Sequence, residues 1–133
     1  AMPARAPVAR EQGLFAIAEG TSEFSLSART KQTQPGTVAY VREAIGAQDA
    51  EGYARNCEAL AAAMSARLEL IRCPTLIVNG DEDAVTVLSG ARQLAEGLVN
   101  ARVEVFSRCG HWAMFERPAE SQRALKDFIQ SVR

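Results

Sequence analysis

Long apolar runs are absent from this sequence. None approaches the roughly 20 residues that a membrane-spanning helix requires, so no such span is expected. Ala1 to Gly20 has neither an apolar signal-peptide core nor a small-residue cleavage site, and the chain reads as cytoplasmic. An excess of one charge sign is missing too: 15 Lys and Arg stand against 16 Asp and Glu, for a net charge of -1. Nothing in that balance points to a nucleic-acid partner. Cysteine is scarce. Cys57, Cys73 and Cys109 are odd in number and have no CxxC or Cys/His ligand spacing, which excludes a disulfide framework and a zinc site and leaves reduced thiols. Histidine is scarcer still, with His111 alone. No internal repeat or low-complexity tract is found.

What is present fits one globular chain: 133 residues, 47% hydrophobic and 23% charged. Ala1-Met2 fits a tag remnant before a start codon, which would make the chain a short reading frame or a truncation. The first half reads as helices. The spacing of Val8, Phe15 and Ala18 predicts a helix from about Pro7 to Glu19, stopped by Gly20. Thr21 to Gly36, rich in Ser, Thr and Gln, reads as a loop with room for a helical turn. Pro35 to Ala47 fits a short helix with Val38, Val41 and Ile45 on one face. Asp49 looks like an N-cap for a further helix through Met64, with Tyr53, Cys57, Leu60 and Met64 along one side.

At Cys73-Pro74 the period changes. Thr75 to Asn79 is short and apolar on both faces, as a buried parallel strand should be. Gly80 opens a turn carrying Asp81, Glu82 and Asp83, and Val87 to Leu98 follows as a helix. Arg102 to Phe106 is a second strand, S-R-C-G-H-W the loop after it, and Pro118 to Val132 a closing helix with Leu125, Phe128, Ile129 and Val132 facing inward. Strand, helix, strand, helix with short links predicts an α/β arrangement with a parallel sheet and right-handed crossovers.

In open α/β sheets, ligand-binding and catalytic groups sit beyond the carboxyl ends of the strands. Asp83 follows one strand and His111 the next, so both belong to one sheet edge. A carboxylate there can hold an imidazole by Nδ1 and leave Nε2 free to act as a base. Taken alone, the same residues read first as a turn aspartate and a satisfied surface or core histidine. Cys109, two residues before His111, would lie on the opposite side of an extended segment, so a Cys-His nucleophile pair is not expected.

The strings I-R-C-P-T-L-I-V-N-G-D-E-D, G-A-R-Q-L-A-E, A-R-V-E-V-F, C-G-H-W-A-M-F-E-R-P and A-L-K-D-F-I together resemble the C-terminal half of the α/β-hydrolase family. The match runs from about Leu68 to Arg133. It implies that residues 1–68 form a helical cap and residues 69–133 the C-terminal α/β segment. It also implies that Asp83 is the acid and His111 the base of a catalytic triad. Within the cap, A-E-G-Y-A-R-N-C-E-A-L-A resembles 3-oxoadipate enol-lactonases. That likeness implies hydrolysis of a small-molecule ester or lactone through an acyl-enzyme, with no metal or cofactor. Trp112, Met114, Phe115 and Tyr53 are candidate pocket walls as much as core residues.

The departure from the family lies in the nucleophile, which in that family stands in G-x-S-x-G on a strand-to-helix turn. Here the nearest string is G-T-S-E-F at Gly20 to Phe24, which lacks the second glycine and follows a helix, so Ser22 reads as a loop serine. The chain reads as though it began at the cap. Two functions stay open: part of a hydrolase whose serine lies in an N-terminal half, or an inactive truncated module that self-associates through open sheet edges.

Overall fold

The computed structural model describes residues 4–132. It divides into two compact units, one from the segment ending at Phe24 together with Pro35–Ser65, the other from Ser25–Gln34 together with the chain from Ala66 onward.

In the first unit the helix expected from Pro7 to Glu19 is broken in two. α1 spans Arg5–Gln12 and α2 spans Phe15–Ser25. Gly13 separates them with φ of 74°, a left-handed conformation that costs a glycine little. Gly20, expected as a stop, lies inside α2: with only the intrinsic penalty of about 1 kcal/mol against it, the packing of the flanking residues carries the helix through. Ala6, Ala9, Leu14, Ile17, Ala54 and Cys57 form one buried cluster. α4 (Pro35–Gly46) buries Val41 and Ile45 as the spacing predicts. α5 (Ala50–Ala62) starts where expected, because the Asp49 carboxylate accepts from the Gly52 N–H at 2.6 Å. The stripe on α5 is covered only over its first half, since Leu60 and Met64 are exposed.

The Thr21 to Gly36 loop is corrected more sharply. Its centre is α3 (Ala28–Thr33), with Ser27 as N-cap, its side chain accepting from the Thr30 N–H at 3.2 Å. A run of Ser and Thr hides helix because these side chains serve caps as readily as loops.

In the second unit, a short 3-10 turn at Leu68–Leu70 leads to β1 (Thr75–Gly80), α6 (Leu88–Gly97) and β2 (Ala101–Phe106). Next come a four-residue helix, α7 (Ala113–Glu116), and the closing α8 (Pro118–Ser131). β1 and β2 pair in parallel, from Thr75 opposite Ala101 to Gly80 opposite Phe106. Phe106, Cys109 and Ala124 form the core beside this pair, with Leu76, Val78 and Ala113 against it.

The inward face expected on α8 is only partly inward: Ala124 is buried, while Leu125, Ile129 and Val132 are exposed. The reason is geometric. A sheet of two strands is too narrow to cover a fourteen-residue helix whose apolar stripe fits a broader one. Among the described residues, no helix is long and apolar enough to cross a membrane.

Candidate active site

β1 and β2 end together, so the turns leaving them start side by side. At the end of β1, a side chain on Gly80 would run into the carbonyl groups of Cys109 and Gly110. Glycine there lets the His111 loop lie directly on the strand end. Backbone bonds fasten the two turns: Asp81 N–H donates to Phe106 O at 3.0 Å and Glu82 N–H to Cys109 O at 2.9 Å.

This brings His111 Nδ1 to 2.9 Å from Asp83 Oδ2. The Asp83 side chain is only 3% exposed and that of His111 35%, so the carboxylate is sealed while the imidazole stays reachable. Asp83 Oδ1 accepts from the Val85 and Thr86 N–H groups, each at 2.8 Å. Oδ2 also accepts from Thr86 Oγ1 at 2.7 Å and from Asn79 Nδ2 at 3.2 Å. Burial works against the charge on Asp83, but the hydrogen bonds from His111, Thr86 and Val85 outweigh it and hold the carboxyl below its ordinary value.

The ionised carboxylate only accepts, so the proton between it and the ring belongs to Nδ1. Thr86 Oγ1, 3.3 Å from Nδ1, has given its one hydrogen to Asp83 and can offer the ring only a lone pair. Both neighbours of Nδ1 are thus acceptors, and in a neutral ring the lone pair falls to Nε2. This is the tautomer in which an imidazole takes a proton from a nucleophile.

The loop carrying His111 is held by two adjacent residues, Glu116 at the end of α7 and Arg117 in the link to α8. Arg117, nearly buried, donates from Nε and Nη2 to Ser107 O at 3.1 and 2.9 Å, and from Nη2 to Arg108 O. It thereby steadies Arg108, whose φ of 53° is left-handed and costs a side-chain-bearing residue about 1 kcal/mol. Glu116, 1% exposed, accepts from Gly110 N–H at 3.0 Å, Trp112 N–H at 3.2 Å and Ser27 N–H at 2.9 Å. His111 itself donates its backbone N–H to Ser25 O at 2.8 Å.

Of the residues singled out from sequence, the structure brings Asp83, His111, Trp112 and Phe115 together. The Trp112 ring stands edge-on to His111 at 6.1 Å and stacks on Phe115 at 6.0 Å, and its Nε1–H donates to Ser25 Oγ at 2.8 Å. Met114 is exposed. Tyr53 belongs to the other unit, packed against the cluster of Ala54 and Cys57, with its hydroxyl accepting from Arg5 Nη1 at 3.3 Å. Ser22 lies inside α2, buried, its Oγ donating to Glu19 O at 2.9 Å. Cys109 is fully buried, and burial together with the charge of Glu116 pushes its thiol up to about 12. It is an inert packing group.

Sequence reasoning passed over Asn79, Thr86, Glu116, Arg117 and the Ser25–Gln34 segment. The one signal available was the E-R-P string after the histidine, where two adjacent charges sit beside apolar residues. Charges in such a place are held by partners, and here the partners are backbone groups of the loop.

The alpha/beta hydrolase fold family matches this chain over residues 11–118. 3-Oxoadipate enol-lactonase 2 of Acinetobacter baylyi is 32% identical over 127 residues, covering 95% of this chain and 47% of the lactonase. Monoacylglycerol lipase ABHD6 of Bos taurus is 40% identical over 65 residues, covering 49% of this chain and 19% of the lipase. The solved enol-lactonase from Burkholderia xenovorans LB400 superposes with a TM-score of 0.85 at 30% identity, covering 95% of this chain and 48% of that one. The chain therefore spans about half or less of the length of these relatives. With a parallel strand pair, helices that superpose on those of an enol-lactonase and a family match across most of its length, the chain belongs to the α/β-hydrolase fold family, of which it represents a C-terminal part.

Proposed function

We propose that this chain is the cap and C-terminal part of a serine-type hydrolase of carboxylic esters or lactones, with residues 1–68 as cap and 69–133 as the segment bearing acid and base. The observation that carries the reading is the sealed Asp83 bonded to His111 Nδ1 at 2.9 Å, at the paired ends of two parallel strands. The 32% identity to an enol-lactonase over 95% of the chain supports the substrate class.

In the reaction, Nε2 of His111 takes the proton of a serine hydroxyl supplied from outside this chain as the oxygen attacks the ester carbonyl. The imidazolium, steadied by Asp83, returns that proton to the departing alkoxide oxygen. His111 then draws a proton from water, the resulting hydroxide opens the acyl-enzyme, and the proton passes back to serine. Trp112 and Phe115 form a wall beside the imidazole. The test is a chimera that joins the serine-bearing half of the Acinetobacter baylyi lactonase to this chain, assayed on a chromogenic ester and on a lactone. Hydrolysis is expected, and His111→Ala is expected to lower kcat by about four orders of magnitude or more. Hydrolysis indifferent to that substitution would remove His111 from the role.

A second reading, an inactive module that self-associates, has its own observation. Leu94, Val105, Leu125 and Ile129 are exposed on the unit that holds the sheet, and each strand has only one neighbour among the described residues.

A further inference from the structure

Glu116 is the largest fully buried side chain in the described structure. A carboxylate in that position is expensive unless its oxygens are fully engaged. Glu116 meets the requirement with backbone and hydroxyl groups drawn from two separate segments. Oε1 takes the N–H groups of Gly110 and Trp112, the residues on either side of His111. Oε2 takes the N–H of Ser27. The fit is tight: a side chain on Gly110 would strike the backbone of Ser25 and Ser27 and the Glu116 carboxylate itself. His111 supplies the third strap with its own N–H on Ser25 O.

From this geometry we infer that Glu116 is the positioning residue of His111: one oxygen brackets the histidine backbone, and the other ties the bracket to the Ser25–Gln34 segment. The inference rests on the Asp83–His111 reading above and deepens it. Its physical content is leverage. A loop of irregular backbone with a left-handed residue at Arg108 has no regular hydrogen-bond ladder to fix it, and a buried acceptor with several convergent donors takes that place. Removing the carboxylate would leave three N–H groups without an acceptor, and the backbone would move to find others.

The test uses the fact that His111 is the chain's one histidine, so its ring nitrogens give a single set of signals. In the nitrogen-15-labelled chain at pH 9, where imidazole is neutral, long-range proton–nitrogen correlations report which nitrogen carries the proton. The native chain is expected to show the Nδ1–H form. Glu116→Ala is expected to lose it to a mixture of both forms while the amide signals of β1 and α8 stay dispersed. Glu116→Gln keeps an oxygen for Gly110 and Trp112, and is expected to retain it. Glu116→Asp withdraws the carboxylate by one methylene and is expected to lose it in part, which keeps the inference readable if the alanine variant does not fold. A folded Glu116→Ala or Glu116→Asp chain with an undisturbed Nδ1–H form, or Glu116→Gln losing it as fully as alanine, would overturn the inference. Asp83→Asn separates the two levels. If that variant keeps the Nδ1–H form, the Asp83–His111 reading itself fails; if it loses the form and Glu116→Ala does not, only the role of Glu116 fails.

Discussion

Asp83 carries more of the site than its partner does. Five hydrogen bonds converge on its two oxygens, from Val85 N, Thr86 N, Thr86 Oγ1, Asn79 Nδ2 and His111 Nδ1. Thr86→Val removes one of these donors with little change of shape. It should lower stability by about 1 kcal/mol, read from the urea midpoint at constant slope. Acid should expose the same dependence. Asp83 and Glu116 are both lowered from the ordinary values of 3.8 and 4.5. In each case burial opposes the charge, and hydrogen bonds outweigh it, for Glu116 those of Ser27, Thr30 and the Gly110 N–H. A depressed folded-state value means that the stability is fully present above the ordinary value and is lost as pH falls through the folded one. The urea midpoint should therefore hold from neutral pH to about pH 5 and drop below pH 4, and Asp83→Asn should flatten part of that drop. An unchanged midpoint between pH 7 and pH 3 would contradict this.

At the scale of elements, the site depends on how closely the His111 loop approaches the end of β1. Gly80→Ala places a methyl group against two carbonyls that cannot rotate away. The expected loss is about 1–3 kcal/mol in thermal or urea unfolding, as for other overpacked positions. The elements themselves were legible to different degrees. β1, α6, β2 and α8 were readable within a residue or two, because each has a clear local pattern, with Pro74 and Gly80 bounding β1, Gly97 ending α6 and Pro118 opening α8. α3 and the break at Gly13 were not, because capping serines resemble loop serines and a helical glycine resembles a terminal one. That Asp83 and His111 share one sheet edge could be read from their places after the strands. Their supports could not, because Ser25 and Ser27 meet the loop from more than eighty residues away.

The whole molecule presents apolar surface that its own chain does not cover. Leu94, Val105, Leu125 and Ile129 stand exposed in the unit that holds the sheet, and the relatives are about twice as long or longer. Static light scattering on the isolated chain should give a mass above the 14.3 kDa of one copy, rising with concentration. Replacing Leu125 and Ile129 with Lys should bring it back toward that value. A monodisperse single-copy mass for the native chain would argue against the self-associating module.

By itself the sequence determined the periodic elements, the parallel order of the strands and the two loop positions where an acid and a base can meet. These follow from local pattern, since side-chain period and turn residues act over a few neighbours. Only the tertiary structure decided that His111 Nδ1 and Asp83 Oδ2 meet at 2.9 Å and that a buried Glu116 ties the histidine loop to the Ser25–Gln34 segment. Those outcomes depend on groups distant in the chain, and burial is what makes their hydrogen bonds obligatory.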